Sequence, residues 1–252
     1  MTKLSVNVNK LATIRNARGK NTPDLVQAGR DILAWGAHGL TVHPRPDGRH
    51  IRFDDVYALS GVVREFNLKS TTKVEFNIEG YPNQSFLNLV KDVQPDQATL
   101  VPDPPEALTS NAGWAVADSQ KLLKSVCAEL HAKKVRTSVF IDPVAMQAAD
   151  YAALKEISVD RAELYTEAFA DTYQTAQQDK VLNQYQECAQ IIRQLGLGLN
   201  AGHDLNQKNL AALIHAIPEI EEVSIGHALI CEALYLGLPT TVANYLKILG
   251  WK

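Results

Sequence analysis

The stretch GLTVHPRPDGRHIR, residues 39–52, sets two histidines and three arginines directly after a short apolar run. Guanidinium groups grip phosphate through two parallel hydrogen bonds, and imidazoles titrate near neutrality. This segment therefore carries the parts needed to hold a phosphorylated compound and move protons beside it. A second basic cluster is RNARG, residues 15–19. Two further segments, NAGHD at 200–204 and IGHA at 225–228, place glycine next to histidine. Glycine backbone N–H groups at a helix start are a ready anion site. Separate basic clusters point to two phosphates.

The segment VEFNIE, residues 74–79, alternates strictly. Glu75, Asn77 and Glu79 share one face, and Val74, Phe76 and Ile78 the other. If the apolar face meets helices, the carboxylates turn inward, where lost hydration raises a carboxyl pKa and suits it to general base work. Glu75 is the candidate base. Glu79 is expected in an internal ion pair, with Arg136 or Arg161 available as partner. A metal site built on His43 and His50 with His203 or His227 is disfavoured, because arginines crowd His43 and no HxH or HExxH spacing occurs. No metal is expected.

The elements that must position these groups are short apolar runs alternating with longer amphipathic ones. Strands are expected at residues 4–8, 39–43, 73–78, 97–101, 136–141, 161–165, 198–201 and 222–225. Helices are expected after them, for example at 23–34, 54–66, 115–133, 143–157 and 205–215. Strict β-then-α alternation implies a parallel sheet. Eight repeats in 252 residues predict one domain, 1–252, folded as a (β/α)8 TIM barrel with additional helices. An open doubly wound sheet is the weaker alternative, since no GxGxxG follows Val8. Segment 168–195 exceeds one barrel helix, and 240–249 reads as a closing helix. Barrel active sites form at the C-terminal strand ends, where His43, Glu75, Asp103, Glu163, His203 and His227 are expected. The proline-containing loop 102–114 is too long for a minimal βα connection and reads as a lid or as a surface or subunit-contact loop.

A hydrophobic share of 46% supports a full core, and a formal net charge of -3 excludes a broad nucleic-acid surface. Cys127, Cys188 and Cys231 are far apart and read as small core residues in a reducing compartment. The first residues, MTKLSVNVNK, have no apolar leader core, and no run is long enough to span a bilayer. A cytoplasmic location is expected, with neither membrane nor nucleic acid as partner.

The segments VNVNKLATIRNARG, HGLTVHPRPDGRHI, VEFNIEG, TLVPDPPEALTSNAG, NAGHDL and IGHALI, taken in order, resemble the signature segments of the pyridoxine 5′-phosphate synthase family. That resemblance implies a barrel assembled as a homo-octamer, a tetramer of dimers. It also implies condensation of 1-deoxy-D-xylulose 5-phosphate with 3-amino-2-oxopropyl phosphate, releasing phosphate and water, with no metal or organic cofactor. By motif, His43 and Glu75 are similar to the family's proton acceptors and His203 to its proton donor. Arg45, His50 and Thr109 match positions that hold the deoxyxylulose phosphate; Asn7, Arg18, Gly226 and His227 match those that hold the amino-ketone phosphate, with Asp204 beside them. The chain departs from the commonest pattern at Asn9 and Lys10, where Asp-His is usual, and at Asp204, where glycine is usual. From the residues alone, a phosphosugar isomerase or epimerase and a non-catalytic phosphometabolite-binding barrel remain alternatives.

Overall fold

Opposite chemistry on the two faces of each strand decides the architecture. The computed structural model describes residues 1–103 and 112–251. Along the chain run β1 (Lys3–Asn7), α1 (Asn9–Asn16), α2 (Leu25–Ala34), β2 (Gly39–Val42), α3 (Phe53–Lys69), β3 (Glu75–Gly80), α4 (Gln84–Val93), β4 (Gln97–Leu100), α5 (Val116–His131) and β5 (Arg136–Ile141). There follow α6 (Ala148–Ile157), β6 (Arg161–Tyr165), α7 (Glu167–Thr172), α8 (Gln178–Gln194), β7 (Gly198–Gly202), α9 (Leu210–Ala216), β8 (Glu222–Ile225), α10 (His227–Leu236) and α11 (Leu238–Ile248). Each strand pairs in parallel with the next, and β1 closes the ring against β8, with Val6 opposite Ile225.

The expected (β/α)8 barrel is thus formed. Segment 168–195 divides into α7 and α8, and α11 closes the chain against α10 and α2. Local sequence explains several starts. Asp24 accepts the Val26 and Gln27 N–H groups at the head of α2, and Asn83 accepts the Phe86 N–H at the head of α4.

The outward strand positions, among them Leu4, Val6, Leu40, Phe76, Ile78, Val139, Leu164, Leu199 and Val223, are buried beneath the helices. Each such side chain contributes about 1.5–3 kcal/mol on leaving water. Barrels commonly fill the inside with branched apolar layers; here the inside is polar. At the N-terminal end, Glu75 pairs with Lys3 at 3.0 Å and with Arg136, and Arg161 pairs with Glu221 at 2.8 Å. Midway, Ser5 bonds Thr41 at 2.7 Å, and Thr99 donates to Asn77 at 3.1 Å or Glu163 at 3.3 Å. Stability comes mainly from the outer apolar shell, and the interior is free to position polar groups.

Candidate active site

At the C-terminal mouth lies a cavity of about 520 Å³, lined by Asn7, His43, Arg45, His50, Glu79, Glu163, His203, Asp204, Gly226 and His227, among others. Its size suits a small-molecule site. Its charge is divided: Lys10, Arg45 and Arg49 line one part, and Glu79, Glu163, Glu167 and Asp204 line another.

The loop after β2 is held by the second basic cluster, RNARG. Arg15 is buried and bonds Asp55 Oδ2 at 2.8 Å while also touching Asp55 Oδ1, and Asn16 Nδ2 donates to the His50 carbonyl at 2.8 Å. Asp55 in turn accepts the Arg52 N–H at the head of α3. Arg15 is therefore a structural tie, while Arg18 stands exposed in the turn after α1 and is not among the cavity-lining residues. Asn9 also plays a structural part, since its Oδ1 accepts the His43 N–H at 2.9 Å, a bond that an aspartate could make equally well. Lys10 lines the cavity.

Within this loop Arg45 is buried and ion-paired to Asp103 at 2.7 Å. The Ile51 N–H donates to His50 Nδ1 at 2.9 Å, which leaves Nε2 of the neutral ring as a donor suited to a phosphate oxygen. Burial first, then Arg45 and Lys10, push His50 down to about 4. His43 is also pushed well below the ordinary histidine value, first by burial and then by Arg45, His50 and Arg49. It is a neutral imidazole at physiological pH, able to accept a proton.

The carboxyl beside His43 is Glu79, with Oε2 3.9 Å from His43 Nδ1 and 3.3 Å from Asn7 Nδ2. Burial raises its pKa well above the usual carboxylate range, and Glu163 and Asp103 raise it further. Glu163, beneath it, is pushed up to about 7 by burial and by Glu222. Gly202 leaves room for that carboxyl, since a Cβ there would stand 2.5 Å from Glu163 Oε1.

The expectation for Glu75 is corrected by these positions. Glu75 opens β3 at the opposite end of the barrel, paired with Lys3 and Arg136, and does not line the cavity. Burial alone would raise it, yet Arg136 and Lys3 bring it down to about 2. Glu79 is not the ion-paired carboxylate; that role belongs to Glu75. The alternation already placed both carboxyls on the inner face, but β3 runs to Gly80 rather than ending at 78. The inward residue at the C-terminal end is accordingly Glu79, and the strand-end rule applied to the true strand would have found it.

On the far rim, His203 and Asp204 follow β7, with His203 Nδ1 2.7 Å from Asp204 Oδ2. Gly226 caps α10, where a Cβ would come within 3.0 Å of Asn7 Cβ, so only glycine lets the helix start sit this close to β1. The α10 start, with His227 and Ala228, opens into the cavity, and its free N–H groups and dipole favour negative charge there. Sequence reasoning missed Ser224, a cavity-lining residue whose buried hydroxyl has no hydrogen-bond partner among the described residues. Thr109 lies outside the described residues, as does most of the loop 102–114. Among the described residues no three His, Cys, Asp or Glu side chains are grouped to hold a metal ion, and no helix is long and apolar enough to cross a membrane.

Known proteins bear on this geometry. The chain is 51% identical over 249 residues, 99% of its length and 100% of the other's, to a pyridoxine 5′-phosphate synthase of Christiangramia forsetii. It is 50% identical over 250 residues, 99% and 100% of the two lengths, to the protein of the same name from Parabacteroides distasonis. Among solved structures, the 3-keto-L-gulonate-6-phosphate decarboxylase of Vibrio cholerae superposes with a TM-score of 0.63 at 10% identity, covering 100% of this chain and 99% of that one, a likeness of fold alone. The family model described as pyridoxal phosphate biosynthesis protein PdxJ matches residues 4–250, and the chain belongs to that family.

Proposed function

We propose that this barrel is a pyridoxine 5′-phosphate synthase of vitamin B6 biosynthesis, condensing 1-deoxy-D-xylulose 5-phosphate with 3-amino-2-oxopropyl phosphate to pyridoxine 5′-phosphate, phosphate and water. The observation that carries the reading is one cavity in which His43 and Glu79, side by side, lie between an arginine-histidine loop and a helix start. Arg45 and the Nε2–H of His50 hold the deoxyxylulose phosphate, with Thr109 assigned to the same group. Gly226, His227 and the α10 start hold the amino-ketone phosphate, with Asn7 and Asp204 beside it; Arg18 is assigned to the same group from the turn after α1, outside the cavity lining. Holding both substrates converts a two-molecule encounter into a positioned reaction.

Joining an amine to a ketone expels water, and forming the carbon-carbon bond of the ring removes a proton next to a carbonyl. His43 and Glu79 accept protons in these steps, and His203 returns one to a departing oxygen. Glu163, its carboxyl pushed up to about 7, donates a hydrogen bond in its protonated form to negative charge as it develops on the substrates. The side chains perform the chemistry without a metal or organic cofactor. The enzyme is cytoplasmic, in keeping with three free cysteines. It assembles as a homo-octamer, which would cover the apolar edge formed by Leu234 and Tyr235, exposed by 72% and 91%.

The test is phosphate release by chelator-treated protein given both substrates, with each substrate alone as control. Release only with the pair, together with pyridoxine 5′-phosphate absorbance, supports the condensation. Turnover of a single phosphosugar would replace it with isomerisation, and binding without release would leave a non-catalytic barrel.

A further inference from the structure

Asp204 occupies a backbone position that a side chain does not favour. His203 and Asp204 both have positive φ, +74° and +37°, and the turn is tightened by a Leu205 N–H bond back to the His203 carbonyl. Glycine adopts this conformation at no steric cost, whereas consecutive left-handed non-glycine residues store strain. What the aspartate supplies in return is visible in its side chain. Oδ2 lies 2.7 Å from His203 Nδ1, and this contact, ahead of opposing burial, holds the Asp204 carboxyl below its ordinary value.

A carboxylate only accepts hydrogen bonds, so Nδ1 of His203 must carry the proton and Nε2 becomes the nitrogen for exchange in the neutral ring. Two further contacts hold the residue. Thr166 Oγ1 donates to the His203 carbonyl at 2.5 Å, and the Tyr165 ring meets the imidazole edge-on at 5.1 Å between centroids. Tyr165 is itself fixed by donating to Glu167 Oε2 at 2.6 Å. The charged and titratable groups facing the pair are thus Glu163 and Tyr165 in β6, Glu167 after it, and His227 at the α10 start.

We infer that Asp204 is a positioning residue, whose carboxylate fixes the tautomer and orientation of His203 for proton donation into the cavity. This rests on the condensation reading for its catalytic consequence, but the tautomer itself is testable without activity. Asp204→Asn keeps a residue that tolerates left-handed backbone while allowing the amide to face Nδ1 either way. Asp204→Gly removes the strain and the carboxylate together. In both variants kcat should fall about ten- to a hundredfold with both KM values within about threefold, as expected when a histidine loses the group that fixes its tautomer. The melting temperature of Asp204→Gly should be unchanged or higher, the reverse of what a purely structural role predicts.

Nitrogen shifts of ¹⁵N-histidine-labelled protein, with His203 assigned by comparison with His203→Gln, give the second measurement. At alkaline pH wild type should show His203 protonated at Nδ1, and Asp204→Asn should move it towards a tautomer mixture. A wild-type ring protonated at Nε2 would overturn the inference. Unchanged kcat in both variants of an active enzyme, or a change confined to KM, would overturn it while leaving the condensation intact. Failure of wild type to turn over the substrate pair would instead remove the condensation reading, and the nitrogen shifts would then decide the role of Asp204 by themselves.

Discussion

Exchanging the two glutamates of β3 for glutamine, one at a time, should divide stability from catalysis. Glu75 is 21% exposed and held between Lys3 and Arg136, its pKa brought from 4.5 down to about 2. A folded pKa below the unfolded one means stability that is present above the unfolded value and lost as pH falls from about 4.5 through about 2. The displacement corresponds to about 3 kcal/mol at neutral pH, reduced to roughly 2 kcal/mol because water still reaches the pair. Glu75→Gln should therefore lower the melting temperature by about 5 °C in a chain of this size and leave kcat within about twofold. Glu79 is the opposite case. Its charge is opposed by burial and by Glu163, so Glu79→Gln should keep or raise the melting temperature. As a proton acceptor beside the substrate, its loss should cut kcat by about 10²–10⁴. Thermal unfolding followed by circular dichroism and a phosphate-release assay on the same preparations give both quantities. A Glu75→Gln protein that is stable but inactive, beside an active Glu79→Gln protein, would refute the argument that place along the strand decides the base.

Other consequences follow from the same geometry. Glu222 is buried and raised from 4.5 to about 7 by burial and Glu75, so its contribution is complete below about 4.5 and is lost as pH rises through about 7. Glu222→Gln should then add about 3 kcal/mol in urea unfolding at pH ~8 and little at pH ~4.5; an equal gain at both would contradict the shift. His43 should stay neutral between pH ~6 and ~8, and an imidazole ¹³C shift that titrates in this range would refute the combined effect of burial and Arg45. Gly202→Ala should displace the Glu163 carboxyl and reduce kcat by at least about tenfold, while retained activity would show that Glu163 has room to move. Arg45→Ala should raise the apparent KM for the deoxyxylulose substrate by about ten- to a hundredfold and leave Asp103 buried without its ion-pair partner Arg45; an unchanged KM would move that phosphate elsewhere.

Much of this molecule is written in local sequence. The two-residue alternation in strands such as residues 74–79 and the regular spacing of helix-like segments specify eight β/α units, because each apolar face has to be covered. The phosphate-binding character proposed for HPRPDGRH and the glycine-histidine pairs is likewise local, since it lies in side-chain type and turn chemistry. Depth along the barrel axis is not. Glu75 and Glu79 share a face and differ by four residues, yet one opens β3 among Lys3 and Arg136 and the other meets His43 at the cavity. Those partners come from β1, β5 and the end of β2, so only closure of the ring decides whether a carboxyl's pKa is lowered in an ion pair or raised beside an imidazole. The same holds for Arg15 and Arg18, three residues apart: one is buried against Asp55, and the other stays in solvent. Residue order determines which groups are available and which way they face; desolvation and charge neighbours, which set their pKa values, exist only once distant strands stand side by side.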